Sequence, residues 1–142
     1  SIKASKAIAE ILGKGVAPEL ITLSSDGNVG LPIRDENQKC VGLYMERVLS
    51  LWDNVRAMIQ DGIEPDLAIS FASRYPAQRL GLYPAKGTIS VGADADLLAF
   101  TNDWTLDRVY MKGRLGLSGG NPLVFSRFEP EMKRRVDLEC SR

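Results

Sequence analysis

Apolar residues follow a helical spacing at the start of the chain and a strand-like pattern shortly after it. Residues 2–12 carry apolar side chains three and four positions apart, which predicts a helix that ends near Gly13 and Gly15. Residues 20–24, Leu-Ile-Thr-Leu-Ser, are short, apolar and β-branched, which predicts a buried strand. A helix, a glycine-rich loop and a buried strand in this order are typical of a parallel α/β fold.

The middle of the chain predicts one long loop followed by helices. Residues 25–42 are rich in Gly, Asn, Asp and Pro, which indicates a long connection of the kind that often carries function. Residues 43–61 predict the strongest helix, because their apolar residues repeat with the spacing of one helical face. Residues 65–74 predict a further helix that begins at a proline, and residues 76–81 predict a short turn.

After residue 86 the pattern changes to short apolar runs separated by Gly and Asp, which predicts an antiparallel β segment. This change also predicts a domain boundary near residues 84–87. The strand candidates are residues 88–91, 97–101, 108–112 and 115–117. The resulting parts are residues 1–85, residues 86–120 and a weakly patterned tail over residues 121–142.

Two short motifs in the second half have ordinary structural interpretations. The run Gly116-Leu-Ser-Gly-Gly120 matches neither of the common phosphate-loop patterns, so we expect a plain turn between strands. The basic run from Lys133 to Arg135 is interpreted as a solvated patch.

Composition narrows the classes of function. The 142 residues include 18 basic and 18 acidic side chains. The formal net charge of zero therefore gives no indication that the chain binds nucleic acid or an anionic membrane. No apolar run approaches the roughly 18–20 residues that span a bilayer, and no signal-peptide pattern opens the chain, so we expect a cytoplasmic protein. Cys40 and Cys140 lack metal-site spacing, and we expect two free thiols.

The chain contains no histidine, and this absence excludes more kinds of catalytic site than any other feature of the composition. Catalytic Ser-His and Cys-His pairs cannot form within this chain, and neither can a zinc site built on imidazole. A self-contained metallohydrolase could hardly lack histidine.

One candidate site remains, in the run Ser24-Ser25-Asp26-Gly27-Asn28 at the carboxyl end of the predicted strand. Catalytic side chains of parallel α/β folds lie at this end of the strands. A carboxylate there can bind a cation or accept a proton from a metal-bound water, and Gly27 would allow a sharp turn beside it. The same residue types also favour a simple strand-to-loop turn, so the pattern alone leaves both interpretations open.

Three blocks of sequence resemble the amidohydrolases, and the first narrows the resemblance to isoaspartyl dipeptidases. The block Thr22-Leu-Ser-Ser-Asp-Gly-Asn28 resembles the segment around their last barrel strand. Residues 68–82 resemble the helix pair that closes such barrels, and residues 86–98 resemble strands of the small β-sandwich joined to them. The resemblance covers roughly residues 3–118. It implies the terminal βα segment of a TIM-like (β/α)8 hydrolase barrel over residues 1–85, followed by part of a β-sandwich over residues 86–120.

The resemblance implies that Asp26 is a metal ligand and the general base of a two-zinc centre in a complete enzyme. The family's other metal ligands lie upstream and have no counterpart in this chain. The family serine that helps to bind substrate reads as Gly30 here, so that contact is lost or replaced.

We therefore expect a fragment that is inactive and metal-free by itself, because a (β/α)8 barrel takes roughly 200–250 residues. The expected partners are the missing N-terminal barrel portion, a second copy in a homo-oligomer, and a β-aspartyl dipeptide as substrate of the parent enzyme. Two alternatives stay open: another amidohydrolase activity, such as a deacetylase, a dihydropyrimidinase-like enzyme or a deaminase, and a non-catalytic structural or interaction module.

Overall fold

The computed structural model describes residues 4–27, 29–45, 47–125 and 135–137, the last of these by backbone alone. In the described part of the chain, no helix is both long enough and apolar enough to cross a membrane. The helices are α1 (Ala4–Gly13), α2 (Ser50–Gln60), α3 (Pro65–Ser70) and α4 (Arg74–Arg79), with a 3-10 turn at Pro18–Leu20. The strands are β1 (Gly30–Arg34), β2 (Cys40–Met45), β3 (Leu97–Phe100), β4 (Leu106–Met111), β5 (Arg114–Ser118), β6 (Asn121–Pro122) and β7 (Arg135–Asp137).

The buried core lies among helices α1, α2 and α3. Val55, Met58 and Phe71 are the largest fully buried side chains, and Ile8 and Ala68 complete the cluster. Burial of each large apolar side chain stabilises the fold by about 1.5–3 kcal/mol. The apolar stripe predicted over residues 43–61 faces the core only within α2, where Trp52 and Ile59 pack beside Val55 and Met58, while Val48 is exposed before the helix begins.

Helix α1 confirms the first helical pattern and the ending predicted for it. Gly15 has φ of 81°, and its amide donates to the carbonyl of Leu12 at 2.9 Å. The amide of Val16 donates to the carbonyl of Ile11 at 3.4 Å. This is the glycine-dependent Schellman ending, in which the left-handed residue lets two carbonyls at the helix end find donors.

The predicted strand over residues 20–24 is wrong for this structure. The 3-10 turn ends at Leu20, and the chain then continues as extended backbone without a strand partner among the described residues. The amide of Leu23 instead donates to the carbonyl of Phe71 at 2.9 Å, at the end of α3. A strand is defined by its neighbours, and the described residues supply no parallel neighbour for this segment.

The predicted loop over residues 25–42 is also wrong from Gly30 onward, where strands β1 and β2 form an antiparallel hairpin. Asp35 fixes the turn, because its carboxylate accepts from the amides of Asn37 and Lys39, both at 2.9 Å. Gln38 takes the left-handed conformation there, with φ of 63°. Residues 43–45 belong to β2, so the helix predicted from residue 43 begins at Ser50 instead.

The helix predicted over residues 65–74 is shorter than expected, and the turn predicted over residues 76–81 is mostly the helix α4. Helix α3 ends at Ser70 and α4 begins at Arg74. Pro76, predicted to begin a turn, lies in the first turn of α4, where a missing amide N–H costs little. Gly81 has φ of 69° and closes α4 as predicted, with the amide of Leu82 donating to the carbonyl of Ala77 at 2.8 Å.

The second sheet confirms three of the four strands predicted after residue 86. Strands β3, β4, β5 and β6 pair in sequence order, each antiparallel to the next. Residues 88–91 form bends and the start of a turn instead of a strand, and Ile89 and Val91 are exposed there. The run from Gly116 to Gly120 forms part of β5 and the turn into β6, as expected, with positive φ at Gly119 and Gly120.

The weakly patterned tail contains two short strands that the sequence did not reveal. Strand β6 extends the second sheet, and β7 pairs with β2 so that the first sheet has the order β1-β2-β7. The run Lys133-Arg134 and Cys140 lie outside the described residues. Cys40 is a partly buried free thiol whose Sγ donates to the carbonyl of Gly42 at 3.4 Å. The boundary near residues 84–87 stays a prediction.

One aromatic group joins helix α2 to the second sheet. The ring of Trp52 stacks on that of Phe100 with centroids 3.9 Å apart, and its Nε1 donates to the carbonyl of Trp104 at 3.2 Å. Stacked rings and a satisfied indole N–H hold the two parts in a defined arrangement.

Candidate functional site

The segment 21–26 that leads to the candidate site has two different faces. Ile21 and Leu23 are partly buried and pack against the helical core. The alternate positions along the segment are exposed, and they are Thr22, Ser24 and Asp26. Because side chains of extended backbone alternate between faces, one face holds the segment on the helices and the other presents a row of polar groups that ends at Asp26.

Asp26 is held by its own neighbour Ser24. The Ser24 hydroxyl donates to Asp26 Oδ1 at 2.9 Å and accepts from the amide of Asp26 at 3.1 Å. Asp26 has φ of 46°, a left-handed conformation that Asp adopts more readily than most residues. The carboxylate is thus oriented while Oδ2 makes no hydrogen bond in the described part of the chain, so that oxygen is available to a cation or a proton.

Gly27 is required by close packing, and it lies in the sharp turn predicted beside Asp26, which the amide of Val29 closes by donating to the carbonyl of Asp26 at 3.0 Å. Its φ lies outside the left-handed region, which Asp26 occupies instead. A β-carbon at Gly27 would lie 2.8 Å from Val48 Cγ2 and 3.1 Å from Ser25 Oγ. The glycine therefore lets the loop after Asp26 lie against the residues that precede α2.

Ser25 connects the site to helix α2. Its hydroxyl accepts from the amide of Gly27 at 3.1 Å, and its carbonyl lies 3.4 Å from the hydroxyl of Ser50. Ser50 is the first residue of α2 and also donates to the carbonyl of Arg47 at 2.7 Å. The sequence pattern points to Asp26 and predicts no separate role for Ser24 or Ser25, although a serine two residues before a backbone donor is a common signal for such local bonds.

Gly30, predicted at the substrate-contact position, is the first residue of β1 and pairs with Met45 of β2. It is exposed and offers only backbone groups. Its role in binding stays a prediction.

Asp26 can supply one carboxylate ligand to a metal ion. Among the residues that the structure describes, no group of three or more His, Cys, Asp or Glu side chains is placed to hold a metal. Since a catalytic zinc takes about three protein ligands, a centre that includes Asp26 needs ligands from outside the described residues.

A second polar cluster ties the residues after α4 to the second sheet. Lys86 Nζ donates to Asp94 Oδ2 at 2.8 Å and to a carboxylate oxygen of Asp96. The hydrogen bonds to Asp94 and Asp96 raise the pKa of Lys86 above its ordinary value. The Lys86 hydrogen bond, followed by the bond from the amide of Lys112, lowers the pKa of Asp96. The ammonium group of Lys86 is paired with both carboxylates, so this cluster is a structural joint.

A third acidic group is engaged within its own turn. Asp103 accepts from the hydroxyls of Thr101 and Thr105, and these bonds lower its pKa, the Thr101 bond most. Its exposed carboxylate stabilises the β3–β4 connection and does not approach Asp26 in any hydrogen bond of the described residues.

Comparison with known proteins gives a family match over most of the chain. The model of the amidohydrolase family matches residues 2–116. A solved β-aspartyl dipeptidase from Fervidobacterium islandicum AW-1, in complex with β-Asp-Leu dipeptide, is 27% identical with a TM-score of 0.71. That match covers 87% of this chain and 32% of the dipeptidase.

Two curated relatives match shorter stretches. Human N-acetylglucosamine-6-phosphate deacetylase is 39% identical over 62 residues, which are 43% of this chain and 15% of the deacetylase. The D-hydantoinase of Streptomyces coelicolor is 33% identical over 91 residues, which are 56% of this chain and 19% of the hydantoinase. The chain therefore spans less than one third of the length of each of these proteins.

Proposed function

The chain belongs to the amidohydrolase family and resembles β-aspartyl dipeptidases, and from this premise we propose that it contributes the general base of a metal-dependent hydrolase that cleaves β-aspartyl dipeptides. The observation that carries the proposal is the placement of Asp26. It lies at the end of an extended segment with one face packed on helices and the other face exposed. In a (β/α)8 barrel, the carboxyl ends of the strands carry the catalytic side chains.

The proposed architecture is the terminal βα segment of a barrel, followed by part of a small β-sandwich. Helices packed on one face of residues 21–26 and the antiparallel sheet after residue 97 support this assignment. The remaining strands and metal ligands would come from residues outside this chain.

Two zinc ions, when bound in the complete site, would lower the pKa of a water molecule and polarise the amide carbonyl. Asp26 would hold a metal through its carboxylate and accept the proton of the attacking water. It would then deliver that proton to the leaving amine, which is otherwise a poor leaving group. Ser24 would keep the carboxylate oriented through its bond to Oδ1. Oδ2 would then face the reacting atoms in both proton transfers.

A second candidate is a different amidohydrolase reaction, deacetylation of an N-acetylated sugar phosphate or ring opening of a hydantoin. The higher identities to the deacetylase and the hydantoinase favour it, although over shorter stretches. The dipeptidase is preferred because its structural match includes 87% of the chain.

The test uses the complete protein that contains this chain, assayed with zinc on β-Asp-Leu, N-acetylglucosamine 6-phosphate and hydantoin. We expect hydrolysis of the dipeptide, and a fall in kcat of at least about 100-fold in Asp26→Asn, because general acid–base catalysis contributes roughly 10²–10⁴-fold. Asp61→Asn, which alters another exposed carboxylate, is the matched control and should retain activity. Turnover of one of the other substrates alone would favour the second candidate, and full activity of Asp26→Asn would exclude the proposed role.

The 142-residue chain by itself is proposed to be inactive and to hold no stoichiometric zinc. Elemental analysis after dialysis against dilute zinc measures this directly. One or two zinc ions per chain that are lost in Asp26→Ala would contradict the proposal, because a complete site would then exist within these residues.

A further inference from the structure

The β1–β2 hairpin lies between Asp26 and helix α2 in the sequence, and both of its ends contact the candidate site. Before the hairpin begins, the amide of Val29 donates to the carbonyl of Asp26 at 3.0 Å. After it ends, Val48 lies so close to Gly27 that a β-carbon on the glycine would be 2.8 Å from Val48 Cγ2. A shift of the hairpin would therefore shift the backbone on both sides of the Asp26 carboxylate.

The hairpin gains little stability from the helical core. Among the described residues, no apolar side chain of β1 or β2 belongs to the core cluster or packs against it. Three of its large apolar side chains are exposed, and they are Leu31, Leu43 and Tyr44. A two-stranded hairpin without further support is at best marginally stable in water. These strands therefore depend on additional pairing to stay in one place.

Strand β7 provides additional pairing from a distant part of the chain. Its backbone runs antiparallel to β2, with Val136 opposite Leu43 and the neighbouring residues on each side also in register. Strand β2 thus becomes the central strand of three, with β1 on its other edge. Strand β7 lies outside residues 2–116, which match the amidohydrolase family, so the family match does not account for this pairing.

We propose that β7 is a positioning strand, which fixes the β1–β2 hairpin and, through Val29 and Val48, the backbone around Asp26. The consequence for catalysis rests on the proposed function, because a general base must lie within hydrogen-bond reach of the proton it accepts. The consequence for the backbone does not depend on the reaction. The two consequences are therefore measured separately.

Nuclear magnetic resonance on the ¹⁵N-labelled 142-residue chain tests the backbone. A variant that ends at residue 134 lacks β7, and a variant that ends at Asp137 keeps it and is the matched control. In the first variant, the amides of β2 that face β7 should exchange at least about tenfold faster, because their acceptors are lost. The order parameters of the Gly27 and Val29 amides should fall from about 0.85 to below about 0.6. The control should match the unmodified chain in both measurements.

Two outcomes would overturn the proposal. Unchanged exchange in β2 would show that β7 does not hold the hairpin. Faster exchange in β2 with unchanged order parameters at Gly27 and Val29 would show that β7 covers a strand edge without positioning Asp26. If the chain that ends at residue 134 does not fold, Val136→Pro replaces it with the same expected results, because proline disrupts a strand ladder.

The complete protein that contains this chain tests the consequence for catalysis. Val136→Pro should lower kcat for β-Asp-Leu at least about tenfold and change KM much less, because a misplaced base slows the reaction step more than it weakens binding. Ser141→Pro places the same ring beyond β7 and should leave both constants unchanged. Unchanged kcat in Val136→Pro would contradict the positioning role. Absence of turnover by the unmodified protein would count against the proposed function, and the backbone measurements would then decide the role of β7.

Discussion

At the scale of single residues, the candidate site depends on the absence of a side chain at Gly27. A β-carbon there would lie 2.8 Å from Val48 Cγ2, closer than side-chain atoms normally approach. Val48 is exposed and can move by a small amount, while Ser25 Oγ accepts a bond from the glycine amide and is less free to move. The loop after Asp26 therefore tolerates little added volume.

We expect Gly27→Ala to lower the free energy of unfolding by about 1–3 kcal/mol, the usual cost of forcing an extra carbon into a close-packed place. Urea unfolding followed by circular dichroism measures the change. Gly13→Ala is the matched control, because nothing lies within 4 Å of its added β-carbon and the substitution should be neutral or stabilising. Val48→Ala in the Gly27→Ala background should recover part of the loss, and no recovery would assign the cost to the backbone instead of to Val48.

The sequence singles out Asp26 as a candidate, and its role stays a prediction, but the sequence does not show the backbone conformation and the contacts around it. The turn-forming residues after an apolar run make Asp26 visible as a candidate in the sequence. The resemblance to isoaspartyl dipeptidases points to the same residue. The close approach of Gly27 to Val48 depends on where α2 begins. That starting point was predicted seven residues too early, at residue 43 instead of Ser50, so the contact could not be foreseen.

At the scale of elements, the joint formed by Lys86, Asp94 and Asp96 connects the residues after α4 to the β4–β5 turn. Asp96 Oδ1 accepts from the amide of Lys112 at 2.7 Å, and the amide of Gly113 donates to the carbonyl of Ala95 at 2.9 Å. One charged cluster and two backbone contacts thus position the second sheet. Because the three side chains are exposed, their electrostatic contribution is small.

This joint predicts a pH dependence of stability with a definite sign. The pKa of Asp96 is lowered in the folded chain, so its contribution is complete above the ordinary value of 3.8 and is lost as pH falls through the folded value. The pKa of Lys86 is raised, so its contribution is complete below 10.5 and is lost as pH rises through the folded value.

Urea midpoints at neutral pH and below pH 3.8 test the acid side. The unmodified chain should lose more stability between these conditions than Asp96→Asn, which keeps an acceptor for Lys112 and loses the charge that Lys86 attracts. Asp61→Asn should behave as the unmodified chain. An acid-side loss of the same size in Asp96→Asn would show that other carboxylates account for it.

Elements with strong local patterns were predicted, and those set by distant partners were not. Helix α1 and strands β3, β4 and β5 follow directly from spacing and turn residues. The β1–β2 hairpin was not predicted because Gly30, Pro32 and Gly42 interrupt the alternation of apolar and polar residues along its strands. Asp35 and the residues after it are nevertheless typical of a turn. Strand β7 is only three residues long, and its pairing with β2 joins positions about 90 residues apart in sequence, which no local pattern indicates.

At the scale of the whole molecule, the chain presents a helical core that covers only one face of the segment 21–26. Thr22, Ser24 and Asp26 remain exposed on the other face, and the segment has no sheet neighbour among the described residues. Extended backbone with unpaired edges accepts strands from elsewhere. Such strands could come from residues of the same protein outside this chain or from a second copy of the chain. The proposed function requires that they come from the same protein.

Hydrogen exchange distinguishes these arrangements at single amides. Leu23 donates to the carbonyl of Phe71 at 2.9 Å, while the amides of Thr22 and Ser24 have no backbone acceptor in the part of the chain that the structure describes. In the 142-residue chain at low concentration, we therefore expect slow exchange at Leu23 and fast exchange at Thr22 and Ser24. In the complete protein, all three amides should be protected, because barrel strands on both sides would pair with the segment.

Light scattering on the same samples gives the needed control. Protection of Thr22 and Ser24 that rises together with molar mass would show that copies of the chain pair with each other, as expected for a structural or interaction module. Fast exchange at these two amides in the complete protein would contradict the placement of residues 21–26 as a barrel strand. Asp26 would then lie at the end of a surface segment, and a catalytic role for it would lose its structural basis.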